Sequence, residues 1–237
     1  MEWGSPGSSP HRWNQIKRLP LYPAIRSLTS YEEAVTTGTL DALAFLRGID
    51  VLQGLGVADI CHVHYEMFKA VHPWAGQVRT RGQLTTVAGY PAADPERIHR
   101  ELELTLFQTR ELLPEALFAR DRQQIVGVLA FLHVRFERVH PFLDGNGRCG
   151  RAVLAVQFEK VFGILPRFTD QPGYRAALRA SSARNLAPLI NYLGTSLGLP
   201  EIQRPVRPRF QIRPRFLDGT SPDPTFEEDL VWSRNVR

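Results

Sequence analysis

The sequence predicts one predominantly helical domain with a single short β-hairpin, and three observations support this fold class. Apolar residues recur three and four positions apart from about residue 40 to 200, which is helical spacing. A cluster of β-formers between glycines, at about 80–90, is the one strand-like region. The chain has 237 residues, 43% of them hydrophobic, which suffices for one well-buried core.

Four stretches show the helical pattern most clearly. Two of them lie around residues 40–46 and 63–71. The third, at 121–138, is apolar over most of its length and is predicted to be the most buried helix. The fourth begins after Gly147 and is predicted to end at Gly163, because glycine commonly stops a helix.

Both ends of the chain differ from this helical middle. Residues 1–26 open with a Gly-, Ser- and Pro-rich stretch and are predicted to be a flexible lead. Residues 201–237 are Arg/Pro-rich and then acidic, which predicts a disordered tail and places the domain at 27–200. The sequence shows neither a secretion signal nor a long apolar run, so we expect a soluble, cytoplasmic protein without a membrane partner. Delivery into another cell as an effector stays open.

The net charge of +5 is concentrated near the two ends of the chain. Between 27 and 202, basic and acidic side chains are equal in number, and the basic excess lies in 1–26 and 203–216. Nucleic-acid binding usually requires a basic face, which a neutral core does not provide. Nucleic acid is therefore not the predicted partner of the domain. The two cysteines, Cys61 and Cys149, do not suggest a disulfide framework.

Residues 140–151, His-Pro-Phe-Leu-Asp-Gly-Asn-Gly-Arg-Cys-Gly-Arg, carry the predicted chemistry. A loop that opens with His140 passes through residues 145–147 into a new helix. Glycines let a ligand approach the backbone, and the N–H groups at a helix start attract anions, so 145–147 are predicted to form an anion cradle. Arg148 and Arg151 are three residues apart on the first turn and are predicted to bind phosphate oxygens bidentately.

Two further residues complete this predicted site. Asp144 offers a hard carboxylate oxygen that could hold Mg²⁺ against two phosphate groups. His140 can take the proton from an attacking hydroxyl near neutral pH and so act as general base. Each feature alone is common in turns and on surfaces, but together they occur in the order that phosphoryl-group chemistry requires.

The same segment resembles the signature of the Fic family, His-Pro-Phe-x-Asp/Glu-Gly-Asn-Gly-Arg-x-x-Arg, and matches it at every specified position. A second stretch, from His64 through Met67-Phe68 and Pro73-Trp74-Ala75-Gly76 to Arg79, looks like the helix and Trp-Ala-Gly turn that precede the flap of this family. The resemblance covers about residues 40–197. It implies a Fic-type helical bundle with a short β-hairpin flap.

The resemblance also implies an activity, protein adenylyltransfer, in which AMP moves from ATP onto a Tyr, Thr or Ser hydroxyl of a target protein. It implies His140 as the general base and Asp144 as the ligand of Mg²⁺ between the α- and β-phosphates. Arg148 and Arg151 would bind the β and γ groups. The remaining implied roles are the anion hole and the packing anchor of the loop, which fall to Gly145, Asn146 and Gly147 and to Phe142, respectively.

The resemblance also implies that the hairpin near 80–90 is the flap on which the target protein docks by adding a strand. Leu84, Thr85 and Thr86 are the flap residues expected to contact the target. Doc-type kinases of this family have altered glycines and an altered first arginine, and this sequence has neither change, which favours nucleotidyl transfer. UMP or GMP in place of AMP stays open, and a catalytically silent interaction module with this fold is the alternative class.

Many Fic proteins are inhibited by a Ser/Thr-x-x-x-Glu-Gly/Asn helix, whose glutamate pairs with the second signature arginine, here Arg151. Glu33, four residues after Thr29, is the single glutamate in this chain with the required spacing, but Ala34 follows it. The same segment, from Ser27 onward, also predicts a helix N-cap. Two alternatives stay open: a small antitoxin that supplies the glutamate, and an enzyme without this inhibition.

Overall fold

The computed structural model of the chain describes residues 10–83, 85–87, 90–166, 168, 170–182 and 185–203. These residues form α-helices, one two-stranded hairpin and a 3₁₀ turn at Pro95–Arg97. The helices and strands are α1 (Pro10–Ile16), α2 (Leu28–Gly48), α3 (Val57–Phe68), β1 (Thr86–Val87), β2 (Tyr90–Pro91), α4 (Ile98–Ala119), α5 (Arg122–Val139), α6 (Asn146–Phe162), α7 (Gln171–Ala180) and α8 (Ala187–Thr195). The predicted helical bundle with a short hairpin is confirmed. Over these residues, no helix is both long and apolar enough to cross a membrane.

The apolar core has two parts, and helices α4, α5 and α6 contribute to both. One part joins α2 and α3 to residues of α6 such as Val153 and Val156. The other joins α4, α5, α7 and α8 to Leu154 and Phe158 of α6. The loop between α5 and α6 therefore lies where the two parts of the core meet, and both parts fix its ends.

Helices α5 and α6 follow the sequence prediction closely. Most residues of α5 are buried, which confirms it as the most buried helix. Asp121 caps its start by accepting hydrogen bonds from the N–H groups of Gln123 and Gln124. Helix α6 ends at the predicted stop, because Gly163 follows it in the left-handed region with φ 69°.

The predicted flexible lead is wrong for residues 10–26. Helix α1 lies in this segment, and Ile16 is only 6% exposed within the core. Arg12 forms an ion pair with Glu32 of α2 at 2.6 Å, and the backbone N–H of Tyr22 donates to the carbonyl of Val71. The prediction relied on composition and overlooked spacing. Trp13 and Ile16 are three residues apart, which is enough to form an apolar helix face. Residues 1–9, and residues 204–237 of the predicted tail, lie outside the described residues.

Helix α2 begins well before the apolar pattern at residue 40. Ser27 and Ser30 cap its start with two reciprocal hydrogen bonds. The Ser27 hydroxyl accepts from the backbone N–H of Ser30, and the Ser30 hydroxyl accepts from the backbone N–H of Ser27. The N-cap predicted for this segment is confirmed. The long helix carries its first turns toward the α5–α6 loop, where one of its side chains reaches the candidate site.

The hairpin predicted at 80–90 is also confirmed. Strands β1 and β2 pair antiparallel, with Thr86 opposite Pro91 and Val87 opposite Tyr90. The N–H of Ala92 donates to the carbonyl of Thr85 at 3.1 Å and extends the ladder toward the base of the hairpin. Leu84, predicted to contact a target, lies outside the described residues, as do residues 88–89.

Candidate active site

The α5–α6 loop, residues 140–145, owes its shape to a left-handed residue at each end. His140 ends α5 with φ 50°, and Gly145 precedes α6 with φ 83°. A Cβ atom on Gly145 would overlap the ring of Phe68, so only glycine fits this position without displacing that ring. The backbone consequently enters α6 with the N–H groups of its first turn at the edge of the loop, as the anion-cradle prediction requires.

Asn146 and Phe142 hold the interior of the loop. The Asn146 side chain accepts from the N–H of Phe142 at 2.9 Å and donates to its carbonyl at 2.8 Å. Phe142 is fully buried and stacks on His64, with 3.8 Å between ring centroids. The buried Asn146 amide is thus occupied by the loop itself, and its predicted anion-binding role falls to its backbone N–H. The packing of Phe142 agrees with its expected role as an anchor.

His64 connects the Trp-Ala-Gly turn to the same loop. Its Nδ1 accepts from the N–H of Gly76 at 2.9 Å, so the Nε2–H donates to the carbonyl of Asp144 at 3.0 Å. Burial lowers the pKa of His64 to about 3, which keeps the ring neutral and this tautomer fixed. His64 is therefore a structural bridge between the two family-like segments of the sequence.

His140 is set up as a neutral base. Its Nδ1 lies 3.2 Å from the carbonyl of Glu137, which accepts the Nδ1–H and leaves Nε2 with a free lone pair. Burial lowers the pKa of His140 below its ordinary value, and the positive charge of Arg79 lowers it further. The hydrogen bond to Glu137 and the charge of Asp144 act in the opposite direction without reversing the shift. The ring is therefore unprotonated at neutral pH.

A polar cluster lies at the end of the loop, where Asp144 meets Arg148 of α6 and Tyr31 of α2. The Arg148 guanidinium donates to Oδ2 of Asp144 at 2.8 Å and to the Tyr31 hydroxyl at 3.1 Å. The Tyr31 hydroxyl in turn donates to the same carboxylate oxygen at 3.2 Å. Burial alone would raise the pKa of Asp144, but Arg148 and the N–H of Gly145 keep it below the ordinary value. The carboxylate is therefore ionised, as a ligand for a hard cation must be.

Arg151 and Arg148 have different aromatic neighbours. Its guanidinium carbon is 5.6 Å from the centroid of the Tyr174 ring, and Nη1 lies 3.1 Å from the point that a Cβ on Gly147 would occupy. Arg148, by contrast, stacks over Phe68 at 4.6 Å. The two arginines thus contact aromatic rings of different helices, Phe68 of α3 and Tyr174 of α7.

Glu137 is a buried carboxyl group behind Arg151 that the sequence analysis did not single out. It is 5% exposed, and its Oε1 has no hydrogen-bond partner among the described residues. Burial raises the pKa of Glu137 to about 7, while the charge of Arg151 lowers it. A signal was present in the sequence, because Glu137 is the one acidic residue between Asp121 and Asp144 in a largely apolar helix. Its position beside Arg151 could not be inferred without the packing of α5 against α6.

The structure does not bring Glu33 to Arg151. The Glu33 side chain is exposed on α2, and among the described residues it forms no ion pair with an arginine. The α2 side chain that does reach the loop is Tyr31, which is fully buried. The prediction of an internal inhibitory glutamate at Glu33 therefore has no support in this geometry. Successive positions on a helix point in different directions, and the helix phase set by Tyr31 turns Glu33 away.

Replacing Tyr31 with phenylalanine is expected to lower the free energy of unfolding by about 1–2 kcal/mol, because a buried hydroxyl bonded to two charged groups is lost. Urea denaturation of both proteins measures this difference. The matched control is Tyr22→Phe, since Tyr22 is 41% exposed and its hydroxyl should contribute little. An equal effect of both substitutions would contradict a stabilising role for the Tyr31 hydroxyl.

Comparison with known proteins finds a family model and relatives that are similar to this chain. Residues 54–158 match the model of the Fic/DOC family. A protein adenylyltransferase from Bartonella henselae is 28% identical over 139 residues, covering 54% of this chain and 25% of that protein. The protein adenylyltransferase fic-1 of Caenorhabditis briggsae is 29% identical over 185 residues, covering 75% of this chain and 34% of that protein. The chain thus spans well under half the length of these curated relatives.

Solved structures share the fold. The BepC protein of Bartonella tribocorum, a VirB-translocated effector with bound AMPPNP, superposes with a TM-score of 0.56 at 20% identity, covering 75% of this chain and 90% of that chain. Fic-1 from C. elegans gives a TM-score of 0.54 at 25% identity, covering 73% of this chain and 50% of that chain.

Proposed function

Residues 54–158 belong to the Fic/DOC family, and on that premise we propose that this chain transfers AMP from ATP to a Tyr, Thr or Ser hydroxyl of a target protein. The arrangement of His140 carries the proposal. Its Nδ1 is committed to the carbonyl of Glu137, so its Nε2 is the acceptor, and it lies in the same short loop as Asp144 and the anion cradle. Relatives named protein adenylyltransferase support the reaction class.

In the proposed reaction, Nε2 of His140 takes the proton of the target hydroxyl as the hydroxyl oxygen attacks the α-phosphorus. The bond from the α-phosphorus to the oxygen bridging to the β-phosphate breaks, and pyrophosphate leaves. The N–H groups of Asn146 and Gly147, at the start of α6, would stabilise the charge on the phosphate oxygens. The N–H group of Gly145 bonds to the Asp144 carboxylate. The product is a phosphodiester between AMP and the target side chain.

Arg148 and Arg151 would contact the β and γ groups. Arg148 is paired with Asp144 at 2.8 Å, so we expect the triphosphate to take over part of that ion pair when it binds. Arg151 lies beside Gly147 and close to the Tyr174 ring. The pairing of Arg148 also keeps its guanidinium over Phe68 and in place before the nucleotide arrives.

The residues present fit Mg²⁺ at Asp144, since the carboxylate is kept ionised by Arg148 and the N–H of Gly145. Within the described part of the chain no group of three or more potential protein ligands is found. Mg²⁺ commonly takes one or two carboxylates from a protein, with phosphate oxygens and water as its other ligands. Bound there, Mg²⁺ would neutralise charge on the phosphate groups.

Labelled nucleotides test the proposal directly. The protein is incubated with a cell lysate and ATP labelled at either the α- or the γ-phosphate. Relative to lysate alone, nucleotidyl transfer is expected to add label to lysate proteins from α-labelled ATP only. Label from γ-labelled ATP alone would indicate a kinase and overturn the proposal, and α-labelled UTP and GTP assayed in parallel identify the preferred base.

The pH dependence of the reaction follows from the lowered pKa of His140. A base with a lowered pKa keeps its free lone pair as the pH falls, so activity is expected to persist below the ordinary histidine pKa before it declines. Initial rates measured at saturating ATP across the acidic range check this. A decline that begins above the ordinary histidine range would contradict the neutral-base assignment.

A further inference from the structure

Arg79 is a buried arginine between the flap and the α5–α6 loop, and its side-chain hydrogen bonds within the described part of the chain go to backbone carbonyls. Arg79 is 2% exposed. Its Nε donates to the carbonyl of His140 at 2.7 Å, and its Nη2 donates to Val139 at 3.2 Å. Its Nη1 donates to Gln83 at 2.8 Å, and Nη2 also donates to Ala93 at 2.9 Å. One guanidinium therefore joins both ends of the flap segment to the histidine.

The backbone adds to this connection. The N–H of Arg79 donates to the carbonyl of Pro141 at 2.7 Å, and the N–H of Ala93 donates to Arg138 at 3.4 Å. The two ends of the flap segment, at residues 79 and 93, are thus attached on either side of His140. A movement of the flap would be transmitted to the residue that carries the base.

Burial lowers the pKa of the Arg79 guanidinium, and the negative charge of Asp94 only partly opposes this. Such burial is costly, so this position needs a specific reason. Part of the compensation comes from the C-terminal end of α5, where the last carbonyls have no intrahelical partner and carry the negative end of the helix dipole. Val139 and His140 supply two of these carbonyls. Packing alone would be served as well by an apolar side chain, whereas only a planar fork with five donors can span carbonyls from two segments.

We propose that Arg79 is a positioning residue that fixes the flap and His140 in one relative geometry, so that a target hydroxyl presented by the flap meets the base. This inference rests on the proposed nucleotidyl transfer. Arg79 does not contact the nucleotide in this scheme. It acts on the protein substrate through the flap and on the proton transfer through the main chain of His140.

The charge of Arg79 has a second, separable consequence. Among the charged groups that face the His140 ring, Arg79 on the flap side lowers its pKa and Asp144 in the loop raises it. Removing the charge of Arg79 is therefore expected to raise the pKa of His140. The acidic limb of the pH–rate profile would then move to higher pH, which a purely structural arginine would not cause.

Two substitutions and one control test this role in the full chain, with lysate proteins as acceptors and α-labelled ATP as donor. Arg79→Lys keeps the charge but cannot span two segments. At a fixed amount of lysate protein, its transfer rate is therefore expected to fall on the order of 10-fold or more. Its ATP affinity and the acidic limb of its pH–rate profile should stay unchanged. Arg79→Gln also loses the charge and is expected to shift the limb upward. Arg100→Gln, an exposed arginine on α4, removes the same charge and should change neither quantity.

The outcomes separate the two proposals. If the wild type transfers label and Arg79→Lys does so at the wild-type rate, the positioning role is overturned. A folded Arg79→Gln protein with an unmoved acidic limb overturns the effect of the Arg79 charge on the pKa of His140. If Arg79→Gln does not fold, by circular dichroism, the result with Arg79→Lys decides alone. If the wild type transfers no α-label to any protein, the proposed function fails, and this role fails with it.

Discussion

Replacing His140 with alanine is expected to lower the rate of nucleotide transfer about 10²–10⁴-fold, the usual contribution of a positioned general base. The nucleotide affinity should stay nearly unchanged, because the cradle and the two arginines are untouched. Initial rates with α-labelled ATP, together with ATP affinity by calorimetry, measure both quantities. The split between them distinguishes loss of the base from loss of the binding site.

A second variant is needed because the backbone of His140 is in the left-handed region. His140 has φ 50°, a conformation in which alanine is strained but asparagine is tolerated. His140→Asn should therefore match the inactivity of alanine with less loss of stability. His99→Asn, at an exposed histidine on α4, is the matched control and should keep full activity. Equal rates for His140→Asn and the control would rule out His140 as the base.

Replacing Gly145 with alanine is expected to remove ATP binding and to lower the free energy of unfolding by about 2–4 kcal/mol, combining left-handed strain with overpacking. The new methyl group would overlap the Phe68 ring, on which Arg148 also stacks. Relieving that overlap displaces the loop and the arginine together. Calorimetric ATP titration and urea denaturation measure the two effects.

Gly163→Ala separates strain from overlap. Gly163 has φ 69°, close to the 83° of Gly145, and it ends the same helix. Apart from the local backbone, no atom of the described residues lies within 4 Å of its Cβ position. This control should lose only about 1–2 kcal/mol and keep its ATP affinity. If Gly145→Ala binds ATP as the control does, the close approach at Gly145 is not required for the cradle.

The fold near the loop was predictable because its signals are local. The apolar pattern of 121–138 and the stop at Gly163 depend on neighbours within a few residues, and α5 and α6 match them. Helix α1 was missed because Gly, Ser and Pro dominated the composition of its surroundings. Helix α4 received no bounds of its own, since its apolar positions are diluted by charged ones.

The polar surroundings of the site could not be predicted, because they depend on contacts between distant parts of the chain. Tyr31 meets Asp144 across 113 positions, and Arg79 meets His140 across 61. No feature of the sequence around Tyr31 indicates that its side chain contacts the loop. Arg79 stood out as a member of a family-like segment, yet its four carbonyl partners appear only when the flap folds back on α5. Glu33 was the opposite case, with suitable spacing but the wrong helix face.

The central claim is that the loop from His140 to Gly145, with the arginines that follow it, attaches AMP to a protein hydroxyl. Mass spectrometry of lysate proteins treated with ATP and either the wild type or His140→Asn tests it most directly. We predict peptides that carry AMP on Ser, Thr or Tyr after treatment with the wild type and their absence after treatment with the variant. AMP-bearing peptides at equal abundance in both samples, or phosphate in place of AMP, would contradict the claim.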